Sequence, residues 1–424
     1  MSLRPCPLST ASKIALALPT HTYGELDTIT SSMANALDQK PGDLIAIRAE
    51  PNWQTLCLLF AAWRRSLNIA LLPPNLPSFP TLPPHHWIEK IPFNPSPSSQ
   101  KTLDLSRPAL MLLTSGSSGS PKWASFSLSQ LFESAQTVAN ALEAKSQNRW
   151  LLSIPLHHVG GLGVALRCIL TEGVLLFERN VKTPAEFASL VPTQLYRLLQ
   201  DPGPFPQTHF LIGGAPLSKE LHQRALAHGL RLTLTYGLTE MSSTVLLSSN
   251  PTWIGAFPYL GEPLANRELT LASDGELLVR GTSLFNGYGS PPKPPPTFFP
   301  TGDKGSYHPA HGWSIQGRKD FQFISGGENI QPEEIEAALL SHPDVEEAII
   351  VPKRDPEFGD RPAAFVRTTA TEDTLRSHLA QFLPKYKIPV LFEMLKEQNG
   401  LKPNRKQLSE SINKNFPFFN SLKS

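Results

Sequence analysis

Short apolar runs of strand character alternate with longer runs of helical spacing through residues 108–237, and this alternation leaves few architectures open to the chain. "PALMLLT" (108–114), "RWLLSIP" (149–155), "GVLLFE" (173–178), "THFLIGG" (208–214) and "RLTLTYG" (231–237) read as strands. Ser129–Ala144, Leu162–Thr171 and Ser218–His228 read as the helices between them. Upstream, Asn52–Ser66 reads as a buried helix with Asn52 as N-cap. Strands interleaved with helices bury both faces of a sheet, which predicts a layered α/β domain.

At 424 residues the chain exceeds what one hydrophobic core serves. Past about residue 265 the texture changes: "RELTLASDGELLVRG" (267–281) predicts a hairpin turning at Asp274-Gly275. From Gly317 a compact βαβ-type pattern follows, with "FQFIS" (321–325), "QPEEIEAALLSH" (331–342), "VEEAIIVP" (345–352), "AAFVR" (363–367) and a helix over Glu372–Phe382. The expected fold is α/β: a large layered N-terminal domain with mixed sheets, residues 1–316, and a small C-terminal α+β domain, residues 317–424. Residues 73–108, rich in Pro and Ser, read as a loop excursion within the large domain, because Trp87, Ile88 and Ile91 interrupt them.

Composition narrows the partners. Lys and Arg number 38 against 36 Asp and Glu, so no basic surface for nucleic acid is implied. The longest apolar stretch, Trp53–Trp63, is too short to span a bilayer. Cys6, Cys57 and Cys168 are odd in number and far apart, which reads as free thiols in a reducing compartment. The expected setting is cytoplasmic, without membrane or nucleic-acid partners, and homo-oligomerisation stays open.

"LLTSGSSGSPKWA" (112–124) follows directly on the first of the strands above. Glycines there permit the backbone that turns successive N–H groups toward one point. Hydroxyls add donors and Lys122 adds a charge. The spacing is not that of a Walker A loop, and on this stretch alone a mobile surface loop and a phosphate cradle both stand. Three further stretches follow in order: "YGLTE" (236–240), "TGD" (301–303) and "GRKDFQFISGGENIQPEEIE" (317–336).

In this order and at these distances the four stretches resemble the acyl-adenylate-forming enzymes, which include acyl- and aryl-CoA ligases. The resemblance covers nearly the whole chain. It implies that Thr114, Ser115, Gly116, Ser117, Ser118, Gly119 and Lys122 hold the β- and γ-phosphates of ATP. It implies that Gly213, Gly214, Ala215, Tyr236 and Gly237 wall the adenine slot, and that Thr239 contacts the α-phosphate. Glu240 falls at the Mg²⁺ ligand, Asp303 at the ribose carboxylate, Arg318 at a second nucleotide contact and Asp320 at the hinge between domains. Gly326-Gly327 matches the glycine pair along which CoA reaches the acyl group. Each assignment suits its residue: one carboxylate accepts from both ribose hydroxyls, and Mg²⁺ takes few ligands from protein. Glu333, Glu334 and Glu336 read instead as ordinary helix-start acids behind Pro332.

"PLHHVGG" (155–161), "VPTQLYRLL" (191–199), "ISGGENIQPEEIE" (324–336) and "VPKRDPEFGDRPAA" (351–364) narrow the resemblance to a compact subgroup that activates o-succinylbenzoate for menaquinone biosynthesis. His158 then matches a histidine beside the acyl site, whereas His157 reads as a packing or surface residue. The acid's ring carboxylate needs a fixed cation, and Arg197 is the candidate, with a helix-surface arginine as the alternative. "NGLKPNR" (399–405) puts the family's catalytic lysine at Lys402, with Lys396 and Lys406 as weaker candidates. The resemblance thus implies ATP, Mg²⁺ and CoA as co-reactants. A ligase for another acid, transfer to a carrier protein, and a non-catalytic nucleotide-binding regulator are the alternatives.

Overall fold

The computed structural model describes residues 14–16, 21–74, 85–88, 104–114, 121–177, 184–200, 207–395 and 405–415. Sheets of eight, six and six strands build the larger N-terminal part, and a five-stranded sheet the smaller C-terminal part.

Within the eight-stranded sheet, Arg149–Leu151, Phe187–Leu190, His209–Ile212 and Arg231–Leu238 run parallel. Ser243–Ser248 closes that edge antiparallel. The helices Val159–Leu170 and Lys219–Ala227 between strands follow the predicted alternation, whereas the strand Phe187–Leu190 and the helix Pro192–Gln200 stand between the predicted strands 173–178 and 208–214 with no expectation of their own. The strand Pro108–Thr114 has the predicted bounds, and the helix Trp53–Arg64 begins at Asn52, whose side chain accepts the Thr55 N–H. The helix predicted over Ser129–Ala144 runs Leu128–Ala141, because Ser127 and Gln130 close a capping box at its start. The predicted helix Ser218–His228 is Lys219–Ala227, flanked by those two residues as caps.

Two expectations fail for identifiable reasons. The helix predicted from Leu162 already begins at Val159 and includes Gly160 and Gly161. Those glycines resemble breakers, yet a Cβ on Gly161 would stand 2.3 Å from the carbonyl oxygens of Ile154 and Pro155. Glycine is there because the helix lies directly on the preceding loop. In the C-terminal part the βαβ-type expectation gives way to an antiparallel hairpin, Val345–Asp355 with Gly359–Thr368. Its turn is set by Asp355 Oδ1, which accepts the N–H groups of Glu357 and Phe358, and by Gly359 at φ +77°.

Alternation along that hairpin builds two small cores. Ala348, Ile350, Ala364 and Val366 pack on one face beneath the helices Pro332–Leu340 and Glu372–Leu379. Ile349, Val351, Ala363 and Phe365 pack on the other beneath Ile412 of the helix Arg405–Asn415. The α+β character expected of the C-terminal part holds.

Candidate functional site

In an open sheet with parallel strands, ligands gather where the strands end at their carboxyl side. Each of the four parallel strands delivers one of the singled-out stretches to that edge. Beyond Leu151 the chain reaches His157 and His158, and His158 is the N-cap residue of the helix Val159–Leu170. Beyond Leu190 come Val191 and the helix bearing Arg197. Beyond Ile212 comes Gly213-Gly214-Ala215, and the last strand ends at Leu238, directly before Thr239 and Glu240. Gly213 is required by packing: a Cβ there would lie 2.3 Å from Thr235 Oγ1 on the neighbouring strand.

Asp303 and Arg318 face each other as cross-strand partners in the hairpin Phe299–His308 and Gly312–Arg318. Arg318 Nη1 donates to Asp303 Oδ1 at 3.1 Å and to the Thr301 carbonyl at 2.8 Å. The Tyr236 hydroxyl donates to Asp303 Oδ2 at 2.7 Å. Tyr236, Asp303 and Arg318, which the resemblance expects at the adenine slot, the ribose and a second nucleotide contact, thus form one hydrogen-bonded group. Burial raises the Asp303 carboxyl above its ordinary pKa, and Arg318 opposes that rise. Burial and the Asp303 charge hold the Tyr236 phenol well above its usual value, so it stays a donor. Arg318 Nη2 continues to Asp320 Oδ2 at 3.2 Å, which connects the group to the expected hinge.

A second group forms around Glu240. Its Oε1 accepts from the Tyr288 hydroxyl, and its main-chain carbonyl accepts the Phe285 N–H at 2.7 Å. Lys122 Nζ stands 5.4 Å from the centroid of the same Tyr288 ring. Thr114 and Lys122 are cross-strand neighbours, so the two ends of the glycine- and serine-rich loop are held together. Ser115, Gly116, Ser117, Ser118 and Gly119 lie outside the described residues, as do Lys402 and Lys396.

His157 and His158 have ring centroids 4.4 Å apart. Burial, helped by its neighbour, pushes the His157 imidazole down to about 4, and desolvation lowers that of His158, so both are neutral at pH 7. His158 makes no capping bond with its side chain. Neutral and free of the helix end, it suits a packing or hydrogen-bonding role beside an acid.

Arg197 is exposed and turns to the C-terminal part, where its Nε and Nη2 both donate to Glu346 Oε1 at 3.2 Å. Gly326 and Gly327 occupy an exposed turn at φ +57° and +87°, where the Gly326 N–H donates to the Phe358 carbonyl of the same C-terminal part at 2.9 Å.

Several residues that join these groups carry no sequence signal of their own. Tyr288 is one. Glu276 is another: its Oε1 accepts the Gly302 N–H at 2.9 Å and its Oε2 accepts from Lys319 Nζ at 2.9 Å, which joins the Thr301–Asp303 segment to the turn Lys319–Phe321 that holds the expected hinge. The plain helix-start reading of Glu333 and Glu336 is corrected, because both are buried. Glu333 Oε1 accepts the Arg318 N–H at 2.9 Å, and Glu336 is paired with Arg405. A buried acid without a partner is too costly for the helix dipole alone to hold it there. Glu334 does remain partly exposed, paired with Lys387.

The AMP-binding enzyme model matches residues 79–289, and the AMP-binding enzyme C-terminal domain model matches residues 334–405. The 2-succinylbenzoate–CoA ligase of Haemophilus influenzae is 36% identical over 334 residues, covering 73% of this chain and 72% of its own. A variant of E. coli MenE with bound OSB-AMS has a TM-score of 0.84 at 27% identity, covering 97% of this chain and 99% of its own. The Bacillus subtilis O-succinylbenzoate coenzyme A synthetase in complex with ATP and magnesium ion shares the fold, with a TM-score of 0.80 at 23% identity over 96% of this chain and 99% of its own.

Proposed function

The chain belongs to the AMP-binding enzyme family, and from that premise we propose that it joins o-succinylbenzoate to CoA at the expense of ATP, by way of an acyl-adenylate. The observation that carries this reading is the convergence on one sheet edge of His158, Gly213–Ala215 and Thr239-Glu240 from three of the four parallel strands. The Haemophilus relative supplies the acid and the acceptor, and the ligands of the E. coli and Bacillus enzymes fit the same chemistry.

A free carboxylate resists attack by a thiol because its oxygens leave poorly. Activation requires the acid to attack the α-phosphorus and expel pyrophosphate, which brings two anions together. Lys122 and the loop from Thr114 are proposed to hold the outer phosphates, and Thr239 the α-phosphate. Asp303 has room for the ribose hydroxyls, since each of its oxygens accepts only one bond among the described residues. Glu240 fits a magnesium ligand: Oε1 is fixed by Tyr288, and Oε2 accepts nothing among the described residues. Mg²⁺ bound there with ATP would spread the phosphate charge. Lys402 offsets the remaining repulsion from the C-terminal part. The CoA thiol then attacks the acyl carbon, AMP leaves, and Gly326-Gly327 lines the thiol's path.

No helix among the described residues is long and apolar enough to cross a membrane. Cys57 and Cys168 are buried free thiols, and the cytoplasm, where ATP and CoA are supplied, is the proposed setting.

Pyrophosphate release with ATP, Mg²⁺ and a panel of acids, followed by thioester formation with CoA, tests this function. Release with o-succinylbenzoate alone supports it. Release with a different acid overturns the substrate, and ATP binding without release overturns the enzyme. Arg197→Ala sharpens the substrate claim. An arginine–carboxylate contact contributes about 1.5–3 kcal/mol, so kcat/KM for the diacid should fall roughly 10- to 150-fold. The exposed pair with Glu346 adds little of its own, so stability should hardly change. An analogue without the ring carboxylate should be used equally poorly by both proteins. Equal losses on both acids would make Arg197 structural.

Gly327→Leu should leave pyrophosphate release nearly intact and block CoA capture. Among the described residues, its two chain neighbours aside, no atom stands within 4 Å of a Cβ at Gly327, so packing in this arrangement does not demand glycine. A matching loss of adenylation would show that the φ of +87° matters to the fold alone.

A further inference from the structure

We propose that Tyr288 is a positioning residue that ties the magnesium carboxylate Glu240 to the phosphate lysine Lys122. This inference rests on the function proposed above and extends it to a residue that no motif marks. Three separate elements meet at Tyr288. Glu240 comes from the turn Thr239–Met241, Lys122 from the strand Lys122–Ser127, and Tyr288 from the short strand Gly287–Tyr288. Backbone pairing fixes the tyrosine: Tyr288 lies opposite Ala124, and Gly287 opposite Ser125. Phe285, three residues earlier, donates its N–H to the Glu240 carbonyl at 2.7 Å. The ring is wedged edge-on against Phe285, at a centroid distance of 4.8 Å. Tyr288 is therefore held by main chain on one side and by packing on the other before its hydroxyl is used.

The hydroxyl and the ring then do different work. The hydroxyl donates to Glu240 Oε1 and leaves Oε2 to face a cation. The ring carries the Lys122 ammonium at 5.4 Å, a cation–π distance, and Lys122 has no ion pair among the described residues. A lysine held over a ring instead of paired with an acid keeps its charge for an incoming phosphate. Glu240 and Lys122 do not pair with each other, and Tyr288 sets their separation.

Substitution can separate the two roles. Tyr288→Phe keeps the ring and removes the hydroxyl, while Tyr288→Leu removes both. Loss of a partner behind a metal ligand typically lowers metal affinity about 10- to 100-fold. The readout is ATP affinity by calorimetry, without acid so that nothing turns over, once with Mg²⁺ and once with EDTA. Wild type should bind ATP more tightly with Mg²⁺. Tyr288→Phe should lose roughly 10-fold or more of that increment and keep the EDTA value. Tyr288→Leu should weaken ATP in both conditions. For Tyr288→Phe, the magnesium concentration giving half-maximal pyrophosphate release should rise by a similar factor, with saturating magnesium restoring most of the rate. An unchanged magnesium increment in Tyr288→Phe, or an equal loss with and without Mg²⁺, would overturn the inference and leave the proposed function standing. If wild-type ATP binding and pyrophosphate release ignored Mg²⁺, the inference and the metal assignment of Glu240 would both fall.

Discussion

Lys402→Ala is expected to cut acyl-adenylate formation by roughly 10²- to 10³-fold, the usual cost of removing one preorganised charge from a transition state. Thioester formation from supplied acyl-adenylate should be nearly unaffected. The asymmetry follows from the charges. Two anions approach each other only in the first step, and in the second a thiol attacks an acyl group already bound to AMP. Lys402 lies outside the described residues, but Arg405 follows three residues later and is fixed. It donates to Glu336 and to the Ile350 carbonyl, and its guanidinium lies 4.5 Å from the Phe321 ring centroid. ATP–pyrophosphate exchange measures the first step, and CoA consumption from synthetic acyl-adenylate the second. Equal losses in both would reject Lys402 as the adenylation charge, and a larger loss in Lys396→Ala or Lys406→Ala would move the assignment.

The parts of this molecule that could be read from sequence are those written locally. Most strand and helix runs between Pro108 and Leu238 come from periodicity over a few residues, the strands Lys122–Ser127 and Phe187–Leu190 and the helix Pro192–Gln200 excepted, and Asn52 and Ser218 announce helix starts through side chains that reach three residues on. The strand ends carrying His158, Gly213 and Thr239 were legible for the same reason. Partnerships across long separations were not. Tyr236 meets Asp303 across 67 residues, and Tyr288 meets Glu240 across 48. Neither end of such a pair alters the pattern around it. Asp303 alone reads as a turn residue, yet it lies 9% exposed in a ten-residue strand. Glu336 had a faint signal: it shares a helical face with Pro332, Ile335 and Leu339, all buried. An acid on an apolar stripe needs a buried cation, and the helix-start account obscured that need.

That cation is Arg405, and Glu336→Ala should be the most destabilising change in the C-terminal part. Glu336 side-chain exposure is 11% and that of Arg405 is 18%. Glu336 Oε1 accepts the Ile350 N–H at 2.7 Å, and its Oε2 accepts from Arg405 Nη2 at 3.0 Å. Removing the carboxylate leaves the half-buried Arg405 guanidinium with the Ile350 carbonyl but no counter-charge, and the Ile350 N–H without its acceptor. Breaking a buried pair from one side costs about 3–5 kcal/mol. The loss should appear first in the hairpin that Ile350 belongs to, so hydrogen exchange at the Ile350 amide reports it locally. Glu336→Gln keeps an oxygen for that amide and loses only the charge, so it should cost less, about 1–3 kcal/mol. Glu336→Leu with Arg405→Leu removes both charges and should recover part of the single-mutant loss. Catalysis separates this change from Lys402→Ala. Freeing Arg405 loosens the attachment of the lysine segment and the hairpin together, so both half-reactions should weaken, where the lysine variant loses only the first. Unchanged Ile350 protection in Glu336→Ala would mean that Arg405 is not what holds this segment to the hairpin, and the charge in the first step would then need another support.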